Sequence, residues 1–166
     1  MYQYSFANTD LLVDMNYDGN QNKSNFKVTG FAAGEGLINI ARRAPIATTL
    51  FGAYGDMVVS MQRIKGGDVS FPLLMNAPEN KWFQDWANKF QEAADSDDGK
   101  LIQPIQMKMV DTMGKDVADC INGVILAMPA MVRGQTMNTV NWVISFEKIT
   151  FERNHGADRV NLGEGL

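Results

Sequence analysis

Cysteine, histidine and excess positive charge are all scarce in this chain of 166 residues, and each scarcity excludes something. A single cysteine, Cys120, precludes an intrachain disulfide, so the fold must rest on a core and needs no oxidising compartment. The single histidine, His155, lies in a polar C-terminal stretch with no Cys or His beside it, which leaves no zinc ligand set. Fifteen Lys and Arg stand against nineteen Asp and Glu, a net charge of −4, which disfavours tight nucleic-acid binding through phosphate neutralisation. No apolar run approaches the ~20 residues that cross a bilayer. The opening Met1-Tyr2-Gln3-Tyr4-Ser5-Phe6 has neither the basic nor the apolar region of a secretory leader. What is present is apolar material: 45% hydrophobic residues, enough for one core that buries ~70% of the unfolded surface.

Most of that material alternates with period two, the pattern of half-buried strands. Tyr4–Asp14 is β-rich and runs into a polar stretch, Asn16 to Asn25. Phe26–Phe31 reads as a short strand before three glycines in Gly30–Gly36. Leu37 to Tyr54 is extended in character, with Pro45 preventing a helix. Gly55-Asp56 turns the chain into Met57–Ile64, and Gly66-Gly67 reads as a hairpin turn because both residues tolerate positive φ. Val69, Phe71 and Leu73 alternate after it. Ile105, Met107 and Met109 mark a further strand, a turn near Met113-Gly114-Lys115 follows, and Val117–Met128 continues the sheet. The last strand is long: Val140, Trp142, Ile144 and Phe146 share a face, then Ile149 and Phe151 carry the pattern out of phase, which predicts a bulge near Lys148. One helix is expected over about 77–94. Asn76-Ala77-Pro78-Glu79 is a start signal, Trp82, Phe83, Trp86, Ala87, Phe90 and Ala94 share a face, and the acidic run from Asp95 opposes the negative C-terminal dipole. The fold class is therefore mainly β, an antiparallel barrel or sandwich with one amphipathic helix. Residues 1–153 form one domain and 154–166 a polar tail.

Motifs that carry chemistry are weak throughout. Asp14-Met15-Asn16-Tyr17-Asp18-Gly19 matches the start of an EF-hand loop, but Asn25 occupies the position that needs a bidentate Glu and the flanks read as strands. A polar turn with Asx hydrogen bonds is the better account. Gly34-Glu35-Gly36 lacks the third glycine of a dinucleotide fingerprint, with Asn39 in its place. Cys120 sits inside a strand pattern and reads as a buried thiol. Asp95, Asp97 and Asp98 form a solvated loop or a weak cation site. Trp82, Trp86 and Phe90 fit the helix's core face better than a stacking platform. The expectation is a chain with no enzymatic activity, no cofactor and no metal. A ligand-binding module with a cavity lined by Met57, Met61, Met107 and Met109 is the alternative from a different class.

Four segments in order carry a resemblance. They are Tyr4-Ser5-Phe6, Gly52-Ala53-Tyr54-Gly55-Asp56-Met57, Gly66-Gly67-Asp68-Val69-Ser70-Phe71-Pro72-Leu73-Leu74, and Ala77-Pro78-Glu79-Asn80. From Tyr4 to about Arg153 the chain resembles the tail tube proteins of contractile-tailed bacteriophages. It is similar as well to the tube proteins of tailocins and of type VI secretion. The resemblance implies a structural virion protein, made in the host cytoplasm, whose subunits assemble six to a ring. Stacked rings would form a hollow tube through which phage DNA passes without specific binding and without a membrane. The implied partners are the subunit itself, the tail sheath protein, and baseplate and tail terminator proteins.

The residues add two expectations to that. Ring contacts are expected to use the basic cluster Arg42, Arg43, Arg63 and Lys65 with Asp95, Asp97 and Asp98 as counterpart, the alternative being a solvated hairpin. The polar strand faces, Ser60 and Gln62, Gln106 and Lys108, and Asn141, Ser145 and Glu147, are expected to line the bore, with Lys108 offset by Glu147. Such a bore is polar and neutral to weakly acidic, because unpaired Lys or Arg would hold phosphate. The alternative is that these faces meet solvent or sheath on the tube's outside.

Overall fold

Apolar alternation folds into one dominant sheet. The computed structural model describes residues 5–15, 25–34, 37–95 and 104–154. After a short 3-10 turn at Phe6–Asn8, the strands are β1 (Thr9–Asp14), β2 (Asn25–Lys27), β3 (Asn39–Arg42), β4 (Ala47–Phe51) and β5 (Met57–Met61). β6 (Gly67–Leu74), the helix α1 (Glu79–Asp95), β7 (Ile105–Asp111), β8 (Val117–Ile125) and β9 (Thr139–Glu152) complete the order. Seven strands form an antiparallel sheet in the order β2-β1-β7-β8-β9-β6-β3, with β2 and β3 as its edges. The sheet is open: no pairing joins those two edges among the described residues.

Helix α1 covers one face. Phe83, Trp86 and Ala87 are buried, and Trp82 and Phe90 are half-buried against the same cluster. The Phe83 ring lies 5.4 Å from Phe71, 5.4 Å from Trp142 and 5.7 Å from Phe26, so one side chain joins β6, β9 and β2 to the helix. Two polar side chains fix the helix start. Asn80 accepts from the Trp142 indole N–H at 2.9 Å and donates to the Leu74 carbonyl at 2.6 Å. Glu79, only 1% exposed, accepts from the Thr29 amide at 2.9 Å and the Thr29 hydroxyl at 3.0 Å. A carboxylate in the first helical turn also meets the positive dipole end.

The change of phase near Lys148 is a bulge on β9, and β8 stays in register with it. Phe146 pairs with Gly67, while the Ile149 amide donates to the Lys65 carbonyl, so β9 carries one extra residue there. On the next strands the register slips between Ile105↔Gly123 and Met107↔Cys120. Asn122 absorbs that slip with φ 57, the left-handed region that Asn tolerates best among non-glycine residues. Its amide donates to Gln106 Oε1 at 3.0 Å, and its side-chain amide donates to Glu147 Oε2 at 2.7 Å. Gly123 is required next to it: a Cβ there would stand 2.5 Å from the Phe146 ring.

One expectation is overturned. Gly66-Gly67 is not a hairpin turn, since the chain runs on from β5 directly into β6. These glycines permit close approach instead. A Cβ on Gly66 would lie 2.6 Å from the Phe146 carbonyl oxygen, and one on Gly67 would collide with the Ala41 carbonyl oxygen. The turn is the one at the far end of the hairpin. There the Gly52 amide donates to the Asp56 carbonyl at 2.7 Å and Gly55 takes φ 90. The helix begins at Glu79 and ends at Asp95, close to the 77–94 expected.

Candidate functional site

Among the described residues, strands β4 and β5 pair only with each other, in a separate two-stranded ladder from Ala47↔Met61 to Phe51↔Met57. This ladder extends the β3/β6 pair outward, with the Gln62 amide bonded to the Ile46 carbonyl at its base. Every residue from Thr48 to Met61 is exposed. The arm is nonetheless apolar on both faces. Leu50 is 73% exposed, Phe51 65% and Tyr54, at the tip, 98%, with Met57, Val58, Val59 and Met61 exposed beside them. An isolated two-stranded hairpin is marginal in water, and a contiguous apolar surface of this kind marks an interaction site.

The sheet face opposite the helix is a second surface, and it is charge-paired. Lys27 bonds Asp10 at 2.7 Å, Lys108 sits 3.9 Å from Asp119, and Arg43 bonds Asp68 at 2.6 Å, each pair across neighbouring strands. Arg43 also donates to the Ser145 hydroxyl at 3.0 Å, and that hydroxyl donates to Asp68 at 2.6 Å. Alternation puts Gln106, Lys108, Asn141, Ser145 and Glu147 on this one face. Ser60 and Gln62 lie elsewhere, on the arm and at its base. The expected partner of Lys108 changes: Asp119 holds it, and Glu147 is taken by Asn122.

The basic cluster divides. Arg42 lies on the helix side of the sheet, where it donates to the Ile149 carbonyl at 2.9 Å and stacks over the Phe151 ring at 5.9 Å. Arg43, Arg63 and Lys65 stay together at the arm's base and are joined by Lys148, a residue outside the cluster expected from the sequence. Asp95 ends α1, and Asp97 and Asp98 lie outside the described residues. So does most of the Asp14–Asn25 loop. The methionine-lined cavity does not form, because Met57 and Met61 are exposed on the arm while Met107 is in the core. Cys120 is buried, and burial first, then the Asp119 charge, pushes its thiol up to about 12. It is no nucleophile at neutral pH. Among the described residues no group of three or more His, Cys, Asp or Glu is placed to hold a metal ion, and no helix is long and apolar enough to cross a membrane.

The described residues thus form an open antiparallel sheet with one covering helix and an apolar hairpin paired only with itself. The solved structures agree on that fold. A chain of the sheath-tube complex of an extracellular contractile injection system, PVC, in its extended state, superposes with TM-score 0.54 at 8% identity, over 92% of this chain and 93% of that one. A chain of the sheath/tube terminator of the same system gives TM-score 0.52 at 9% identity, over 92% and 98%. No individual curated protein matches the sequence. The family model described as bacteriophage PhiTE tail tube protein matches residues 1–152. The chain belongs to that family, and it is a structural tail tube protein and not an enzyme.

Proposed function

We propose that this subunit assembles into rings of six that stack into a hollow tube, the conduit for phage DNA in the tail. The observation that carries the stacking is the arm, an apolar hairpin that finds no packing among the described residues. The number six rests on the family resemblance. Ring closure is supported by the open sheet, because edge-to-edge joining of β2 to a neighbour's β3 satisfies strand edges that otherwise invite aggregation. The charge-paired face is the surface we assign to the bore. Lys27, Arg43 and Lys108 on it are held by carboxylates of neighbouring strands, so few cations remain to grip phosphate and add salt-dependent friction. The carboxylates Asp10, Asp14, Asp68, Asp119, Glu147 and Glu152 outnumber the cations on it, which makes the bore weakly acidic. Arg43, Arg63, Lys65 and Asp95 are assigned to subunit contacts. Sheath and tube terminator proteins are the partners this reading names, by analogy with the complexes of the solved neighbours.

Negative-stain microscopy of the purified protein tests the reading. Needle-like polymers with a stain-filled centre are expected as concentration rises. A monodisperse monomer at every concentration, with no rings, refutes it.

A further inference from the structure

From Ile46 to Gln62 the chain carries one charged side chain, Asp56, and it stands at the arm's tip. The arm's base is the opposite. Arg43, Arg63, Lys65 and Lys148 line a cleft of about 660 Å³ floored by Ile121 and Phe146. Arg43 is already engaged by Asp68, and the cleft's one acid, Glu147, by Asn122. Arg63, Lys65 and Lys148 have no ion pair among the described residues. The arm is therefore a rod with an acid at one end and an unneutralised socket at the other.

We propose that the tip of one copy's arm, through Tyr54 and Asp56, seats in the basic cleft at the base of another copy's arm. This deepens the stacking reading above and rests on it. Charge complementarity selects the occupant: Asp56 is the one formal charge the tip offers, and the cleft has cations to receive it. Tyr54, almost wholly exposed, supplies an apolar ring and a hydroxyl suited to a half-wet anchor. The tip cannot reach its own base, because five-residue strands put about 17 Å between them. Tip and cleft are different surfaces, so the contact is heterologous, and it propagates along a stack where the rotation between copies does not close it into a ring. That is the symmetry a stack of rings needs.

Two experiments test it. The first is the double variant Asp56→Cys/Lys65→Cys under mild oxidation, with buried Cys120 silent. A ladder of covalent oligomers on a non-reducing gel is expected, since a disulfide needs the two Cα atoms within about 7 Å. Dimers alone mean that two arms lie antiparallel in a closed pair, and no cross-link means no tip-to-base contact. Either result overturns the proposal. The second is a charge swap. Asp56→Lys is expected to raise the protein concentration needed for assembly about tenfold, and adding Arg63→Asp and Lys65→Asp to restore it to within about threefold. Assembly of Asp56→Lys at the wild-type concentration, or no rescue by the swap, overturns the proposal. A cross-link from Lys65→Cys to Asp95→Cys, and not to Asp56→Cys, assigns the cleft to the helix end and overturns it too. Tubes without a ladder sink the contact and leave the tube reading standing. A ladder without tubes does the reverse.

Discussion

Gly123→Ala tests whether the bulge is built as described. The added methyl would stand 2.5, 2.8 and 3.0 Å from three atoms of the Phe146 ring. Phe146 is 4% exposed and belongs to the core cluster, so its ring has nowhere to move without displacing neighbours. Overpacking of this kind costs about 1–3 kcal/mol. For a domain of this size each kcal/mol lowers Tm by about 2–4 °C, giving a fall of roughly 2–12 °C. Differential scanning calorimetry measures it. Two controls isolate the cause. Gly34→Ala, whose added methyl meets nothing nearer than Leu37 Cδ2 at 3.9 Å, is expected to leave Tm unchanged or slightly higher. Phe146→Leu makes room for the methyl, so the Gly123→Ala/Phe146→Leu double variant is expected to lose less than the sum of the singles by about 0.5–3 kcal/mol. A Gly123→Ala protein that melts within about a degree of wild type, or strict additivity in the double variant, refutes the steric account.

Two further outcomes follow from the same contacts. Leu50→Asp with Phe51→Asp is expected to leave stability within the ±0.5 kcal/mol typical of surface changes while removing sedimentable polymers. A large loss of Tm in that variant would mean that the arm packs within its own subunit. Cys120 is expected to resist alkylation at neutral pH until the chain unfolds. Its thiol is raised from 9.0 to about 12 by folding, so its contribution to stability is whole below pH 9 and declines as pH climbs toward 12. Rapid labelling of the native protein at pH 7 would contradict the burial.

Much of this architecture was legible in the residues. Period-two runs located the strands, the Trp82–Phe90 spacing located α1, and the shift from Phe146 to Ile149 located the bulge. What escaped did so for identifiable reasons. Gly66-Gly67 looks the same whether glycine serves a turn or a close approach to the Phe146 and Ala41 carbonyls, and only the strand pairing decides. Lys108 was matched with Glu147 because each lies on a polar strand face. The pairing Lys108↔Asp119 depends on which strands become neighbours, and sequence order does not reveal that. Lys148 joins the basic cleft only because the bulge turns it. Asn122-Gly123, a left-handed-tolerant pair inside a strand pattern, was the missed signal for the matching slip between β7 and β8.

The arm's separation from the sheet has a kinetic side. Its ladder is two strands wide and its side chains touch water, so its amides are expected to exchange with deuterium at a rate unrelated to global unfolding. Under the proposed stacking, a lone subunit must hold a marginal hairpin in shape before a second subunit can use it. The first stacking event is then expected to be slow, and every later one to meet an arm already held in place. Such a subunit is expected to stay dispersed below a threshold concentration and to elongate readily from any pre-formed end. Growth would begin at whichever surface first immobilises an arm.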